Sequence, residues 1–267
     1  MKLKAYYLNK YVDEESITLS PSNRSFLYGD GIFETIIIKN GHIRFWNYHN
    51  DRLHKALKVL EIDLSFLPNC KEIIYELIDI NSFVNARVKL QVWRADGGLY
   101  EPLYNEPNVL ITMKNWDVEK RTNIKKCSFS DSVYLNHSTT SPYKTCNSLP
   151  YIIAANERKK RSLEELIILD SRGNVAECCS SNIFWTDGIQ YFTPSLKTGC
   201  VDGIMRRHVI AKAEMNGIKI IEGEFLKEDL IASKAVFCCN VTGVTPIVQI
   251  DTVSFNVYCD LIPLLEL

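Results

Sequence analysis

Asn40-Gly41 lies between two apolar runs, Ile36-Ile37-Ile38-Lys39 and His42-Ile43-Arg44-Phe45. An Asn-Gly pair in that setting is a strong hairpin signal, because both turn positions need a positive φ that these two residues tolerate best. A second signal, Asp187-Gly188, separates 183–186 from 189–193. Hairpins join antiparallel neighbours, so these two turns argue against a doubly wound parallel sheet. Between them the hydrophobic period changes. Over 46–62, Leu53, Ala56, Leu57 and Leu60 recur at helical spacing, and a second helix is predicted over 69–80. Over 85–93 the period is two: Ala86, Val88, Leu90 and Val92 share one face, and Arg87, Lys89 and Gln91 share the other. Strands, helices and hairpins mixed in this way predict an α/β chain of the α+β type in two domains. The charged stretch 116–123 sets the boundary, giving domains 1–118 and 119–267.

The remaining elements follow from the same patterns. Strands are expected at 3–8 and 16–19, joined by the acidic turn Asp13-Glu14-Glu15, and a tight turn at Gly29-Asp30-Gly31 leads into a strand over 33–39. A turn-rich loop at 94–102 precedes a strand at 108–113. The second half reads as strands at 126–129, 166–169, 218–222 and 235–240. Its helices fall at 149–160, from Gly203 onward, and at 226–231. Leu149, Ile152 and Ile153 are expected to face inward from the first of these helices.

Composition closes off several function classes. Among 267 residues, 46% are hydrophobic and 24% charged, and the net charge of −1 supplies no global basic field for nucleic acid or an anionic membrane. The N-terminal Met-Lys-Leu-Lys lacks the apolar region of a secretion signal, and no run approaches membrane-spanning length, so a cytoplasmic protein is expected. Cys178-Cys179 and Cys238-Cys239 are adjacent pairs in strand-like stretches, where neighbouring side chains point oppositely, and the nine cysteines contain no CxxC pair. Buried free thiols are expected, with no structural zinc.

Three segments carry candidate chemistry. Tyr143-Lys144-Thr145-Cys146-Asn147 sets a lysine in a short polar loop just before a helix. Most lysines are solvated, but this one has hydrogen-bonding neighbours and an anchored loop, and a desolvated amine can condense with an aldehyde. Glu177 ends a short strand and precedes Ser180-Ser181-Asn182. A carboxylate so placed can keep a pyridine nitrogen protonated. Gly199 to Arg206 is a glycine-bracketed loop feeding a helix, whose N-terminus at Gly203-Ile204 suits a phosphate. Arg52, with its planar donor fork, is the matching side-chain clamp.

These segments, with Tyr28 to Thr35 and His49 to Leu53, resemble the fold-type IV pyridoxal-phosphate enzymes over nearly the whole chain. That family contains branched-chain aminotransferases, D-amino-acid aminotransferases and aminodeoxychorismate lyases. The resemblance implies a D-amino-acid-aminotransferase-like fold of two domains, a homodimer, a small amino substrate, and pyridoxal 5'-phosphate held between the domains. It makes Lys144 the Schiff-base lysine and Glu177 the partner of the pyridine nitrogen. Arg52 and the backbone of Gly203, Ile204 and Met205 take the phosphate, with Asn240 and Thr242 completing the cradle. Glu177-Cys178-Cys179 and the Lys144-to-Asn147 spacing are most similar to the lyases, which convert 4-amino-4-deoxychorismate to 4-aminobenzoate and pyruvate in folate synthesis. The alternatives are an aminotransferase of branched-chain or D-amino acids using 2-oxoglutarate, and a cofactor-binding homologue without turnover. One departure stands out: Leu99 lies near the loop position where many lyases and D-amino-acid aminotransferases carry a carboxylate-binding arginine. Arg94, Arg24 or the partner subunit would then meet the substrate's carboxylate, with Phe33 as a further substrate contact.

Overall fold

The computed structural model of the protein describes residues 2–117 and 123–257. The chain divides into two compact units: Met1–Val118 with Tyr143–Asn147, and Glu119–Pro142 with Ser148–Leu267. The division expected between 118 and 119 lies outside the described residues.

In the first unit β1 (Lys4–Tyr7), β2 (Lys10–Asp13), β3 (Gly31–Lys39), β4 (His42–Ile43), β5 (Ala86–Arg94) and β6 (Pro107–Asn115) form one sheet. Its order is β2-β1-β6-β5-β3-β4, and every pairing is antiparallel. The turn between β3 and β4 falls at Asn40-Gly41, with φ of 51° and 75°. The alternation along β5 is realised: Ala86, Val88, Leu90 and Val92 are buried, Arg87 and Lys89 exposed. On that buried face lie α2 (Trp46–Val59) and α3 (Cys70–Asn81), which contribute Leu53, Ala56 and Leu57, and Ile73, Ile74, Leu77 and Ile78. Two expectations change here. The second strand is β2 at Lys10–Asp13, not 16–19, because the chain reverses earlier, at Leu8-Asn9, with φ of 46° and 64°. A short helix, α1 (Arg24–Tyr28), precedes β3; the Asn23 side chain caps the Phe26 N–H and Gly29 ends it in the left-handed region at φ 68°.

The second unit has two five-stranded sheets. One is built from β7 (Cys127–Leu135), β8 (Glu165–Asp170), β9 (Val175–Cys178), β15 (Gln249–Ile250) and β16 (Val253–Ser254), in the order β16-β15-β7-β8-β9. The other contains β10 (Asn182–Thr186), β11 (Tyr191–Pro194), β12 (Ile220–Gly223), β13 (Ala235–Asn240) and β14 (Gly243–Ile247), in the order β12-β11-β10-β13-β14. Ile167, Val175 and Cys178 of the first sheet share a core with Ile183, Trp185, Val236, Cys238 and Ile247 of the second. α4 (Leu149–Lys160) covers a smaller core with Leu166, Ile168 and Ala176. α5 (Ile204–Met215) and α6 (Lys227–Ile231) complete the unit.

The inward face of α4 is a correction. Leu149, Ile152 and Ile153 are 63%, 53% and 49% exposed. The stripe turned to the sheet is instead Tyr151, Ala154 and Ala155, continued by Arg158, which meets Glu165 at 3.7 Å. Two small alanines let the helix approach the strands closely, and the bulkier aliphatic residues are left outside. The Asp187-Gly188 turn is a hairpin, but a longer one: the Asp187 carboxylate accepts from the Ile189 and Gln190 N–H groups at 2.8 Å and delays β11 to Tyr191. The eight described cysteines are unbridged. No described helix is long and apolar enough to cross a membrane.

Candidate active site

In the first unit β3 directs consecutive side chains to its two faces. Glu34 is buried with α2, where it accepts from His49 Nδ1 at 2.7 Å and from Arg52 Nε and Nη2 at 2.7 and 2.6 Å. Burial alone would push this carboxyl up; the Arg52 charge and the His49 and Arg52 hydrogen bonds outweigh it and hold the group at about 2. Arg52 is thereby fixed by a bidentate carboxylate rather than left on a flexible stem.

The lysine loop pairs with the opposite edge of this strand's start. The Phe33 N–H donates to the Lys144 carbonyl at 2.8 Å, and the Cys146 N–H donates to the Gly31 carbonyl at 2.9 Å. Glycine at 31 is required for close approach, since a Cβ there would lie 2.6 Å from Trp93 Cβ. Lys144 Nζ sits 4.7 Å from the Phe33 ring centroid, and Lys89 Nζ lies 5.3 Å from the same ring. Phe33 thus stands beside the amine.

Arg24 and Arg94 converge on Asp30, at 2.8 and 2.9 Å. Arg24 Nη1 also donates to the Gly97 and Leu99 carbonyls. Arg94 donates to Glu61 and Leu60 carbonyls and to Asn105. A substrate carboxylate would have to displace Asp30 or a backbone acceptor to reach either guanidinium. Leu99 is an exposed apolar side chain.

In the second unit the strand end at Glu177, the loop before α5 and the β10 edge come together. Glu177 is buried and accepts from the Tyr151 hydroxyl at 2.6 Å, from the Val201 N–H at 3.2 and 3.3 Å, and from Asn182 Nδ2 at 3.3 Å. Asn182 also donates to the Val201 carbonyl at 2.8 Å, which ties the loop to the carboxylate. Gly203 is the N-cap of α5, which no side chain caps. A Cβ at 203 would overlap the Asn182 amide oxygen, so the chain needs glycine there for steric reasons alone. Asn240 at the end of β13 donates to Ser181 Oγ at 3.0 Å and accepts from the Thr242 N–H and hydroxyl at 2.9 and 2.6 Å. Glu177, Gly203, Ile204, Met205, Asn240 and Thr242 are therefore linked through Ser181 and Asn182 within one unit. In the other unit Lys144 and Phe33 lie together, while Arg52 lies with Glu34, whose side chain leaves the opposite face of β3.

Glu34, His49 and Tyr151 are absent from the sequence-level candidates. For Tyr151 a signal exists, since it shares the i, i+3, i+4 stripe of Ala154 and Ala155. Nothing local marks Glu34 as the partner of Arg52.

Taken unit by unit, these groups have recognisable chemistry. The lysine amine of the first unit suits an aldehyde; in the second, the buried carboxylate held by neutral donors suits a ring nitrogen, and the start of α5, which no side chain caps, suits a phosphate. Comparison with known proteins agrees. Residues 31–250 match the model of amino-transferase class IV. The chain is 31% identical over 258 residues to aminodeoxychorismate lyase of Bacillus subtilis, covering 94% of this chain and 88% of that one. It is 25% identical over 256 residues to D-alanine aminotransferase of Bacillus licheniformis, covering 93% and 89%. The branched-chain aminotransferase of Thermoproteus uzoniensis superposes with a TM-score of 0.88 at 23% identity, covering 99% and 92%. The chain belongs to the class IV aminotransferase family, with the fold-type IV architecture, and is a pyridoxal-phosphate-dependent enzyme.

Proposed function

We propose that the enzyme is an aminodeoxychorismate lyase, converting 4-amino-4-deoxychorismate to 4-aminobenzoate and pyruvate. The observation that carries this choice is the likeness to the Bacillus subtilis lyase, the one relative named above that exceeds 30% identity. The Glu177-Cys178-Cys179 sequence, with no glycine after the glutamate, supports it. When bound, pyridoxal phosphate supplies an aldehyde for the substrate amine and a ring that accepts electrons from the nitrogen-bearing carbon. Lys144 would provide the amine that holds the cofactor and the base that takes the proton from that carbon. Glu177 would hold a proton at the ring nitrogen. Arg52, fixed by Glu34, and the first N–H groups of α5 at Ile204 and Met205 bind the phosphate, with Asn240 and Thr242 beside them. The carbon-bound proton is lost and the enolpyruvyl group departs with the electron pair of its ring C–O bond, taking up a proton to become pyruvate; the ring left behind is aromatic, which drives the reaction forward.

Aminotransfer is the second reading. The commitment of Arg24 and Arg94 to Asp30, together with Leu99, keeps it open, because the carboxylate-binding arginine that many lyases and D-amino-acid aminotransferases carry has no counterpart in this loop. Incubating the holoenzyme with 4-amino-4-deoxychorismate, and separately with L- and D-amino acids plus 2-oxoglutarate, separates the two. The expected result is 4-aminobenzoate and pyruvate from the first and little transamination in the second; robust D-alanine or leucine turnover without 4-aminobenzoate replaces the lyase with an aminotransferase.

The same proposal takes the protein to be a cytoplasmic homodimer. Buried, unbridged thiols fit a reducing compartment. The exposed Leu149, Ile152 and Ile153 on α4 supply the apolar surface a subunit contact needs.

A further inference from the structure

We propose that Tyr151 is a positioning residue for Glu177, its phenol keeping the carboxylate aimed and charged for the cofactor's ring nitrogen in acid as well as at neutrality. The inference rests on the reading that Glu177 meets that nitrogen. Its basis is geometric. Tyr151 lies on the inner stripe of α4, and its hydroxyl donates to Glu177 Oε1 at 2.6 Å, shorter than the contacts from Asn182 and Val201. Packing against Leu166, Ile168 and Ala176 would be served equally by a phenylalanine. The hydroxyl adds the hydrogen bond, and a hydrogen bond to an ionised acceptor is short and strong.

Facing Glu177 are Tyr151 on α4, the Cys179 thiol after β9 and the Cys200 thiol in the loop before α5. Arg158 and Glu165 lie beyond Cys179, and Arg206 and Asp202 beyond Cys200. Burial pushes the two thiols up, Cys179 to about 11 and Cys200 to about 12. Burial, then the Glu177 charge, also pushes the Tyr151 phenol up, so it remains a donor across the accessible range. Hydrogen bonds to the charged form lower a carboxyl's proton affinity, and removing one raises it. Without the phenol, Glu177 therefore protonates at higher pH and the ring nitrogen loses its partner there.

The test is cofactor affinity against pH, measured by pyridoxal-phosphate titration of the full-length protein between pH 4 and 8. Wild type, Tyr151→Phe and Glu177→Gln are compared, with urea midpoints at neutral pH confirming that each variant is folded. Tyr151→Phe is expected to bind within a few-fold of wild type at neutrality, with its acid-side loss of affinity moved up by about one pH unit or more. Glu177→Gln is expected to bind more weakly and to lose that limb. A Tyr151→Phe profile that superimposes on wild type while Glu177→Gln departs from it overturns the role of Tyr151 alone. A Glu177→Gln profile that superimposes on wild type removes the underlying assignment of Glu177.

Discussion

Burying a carboxylate under a helix costs several kcal/mol unless charge and hydrogen bonds meet it, and at Glu34 both do. Its carboxyl falls from the ordinary 4.5 to about 2, so the folded state binds the proton more weakly than the unfolded chain. The sign follows: the contribution is complete above pH 4.5 and is lost as pH drops through about 2. A shift of this size corresponds to roughly 3 kcal/mol. Wild type and Glu34→Gln should differ in unfolding free energy by a constant amount from pH 7 to 5. The gap should narrow steadily below pH 4.5; a gap unchanged down to pH 2.5 would show that Glu34 is not charged in the fold. The residue scale also shows what a sequence can and cannot reveal. Lys144, Glu177 and Gly203 each stand in a short local pattern, a polar loop, a strand end or a helix start. Glu34 lies 18 positions from Arg52 and Tyr151 lies 26 from Glu177. Each meets its partner on another element, and no one-dimensional period encodes that meeting.

At the scale of elements, turn chemistry was legible wherever the turn itself fixes the backbone. Gly41 holds φ 75° with nothing within 4 Å of where a Cβ would stand. Gly41→Ala should therefore cost only backbone strain, about 1 kcal/mol, seen as a lower urea midpoint with cofactor binding unchanged. A loss of several kcal/mol would mean that the β3–β4 turn is not built this way. Asp187-Gly188 carries the same dipeptide signal but makes a longer loop, because the Asp187 carboxylate takes two N–H groups for itself. Helix α4 gives the sharper lesson. Its existence follows from composition, yet its inner face does not follow from hydrophobicity. The sheet selects the alanines and Tyr151 for close contact, and Leu149, Ile152 and Ile153 are left exposed.

For the molecule as a whole, the mixture of strands and helices was foreseeable from the alternating periods. The membership of residues 143–147 was not. This segment follows β7 of the second unit in sequence but belongs with the first, where it pairs with the start of β3. A linear boundary cannot express such a return. The proposed homodimer should give twice the chain mass by light scattering, and Ile152→Lys should shift it towards single chains; a wild-type protein of single-chain mass would rule the dimer out. The central claim is that Lys144 carries pyridoxal phosphate. Borohydride reduction of the holoenzyme followed by peptide mass analysis tests it most directly. The expected result is a yellow protein whose phosphopyridoxyl mass resides on the peptide containing Lys144, and Lys144→Ala protein without that adduct. A protein that stays colourless with added pyridoxal phosphate, or an adduct on a different lysine, would contradict the account.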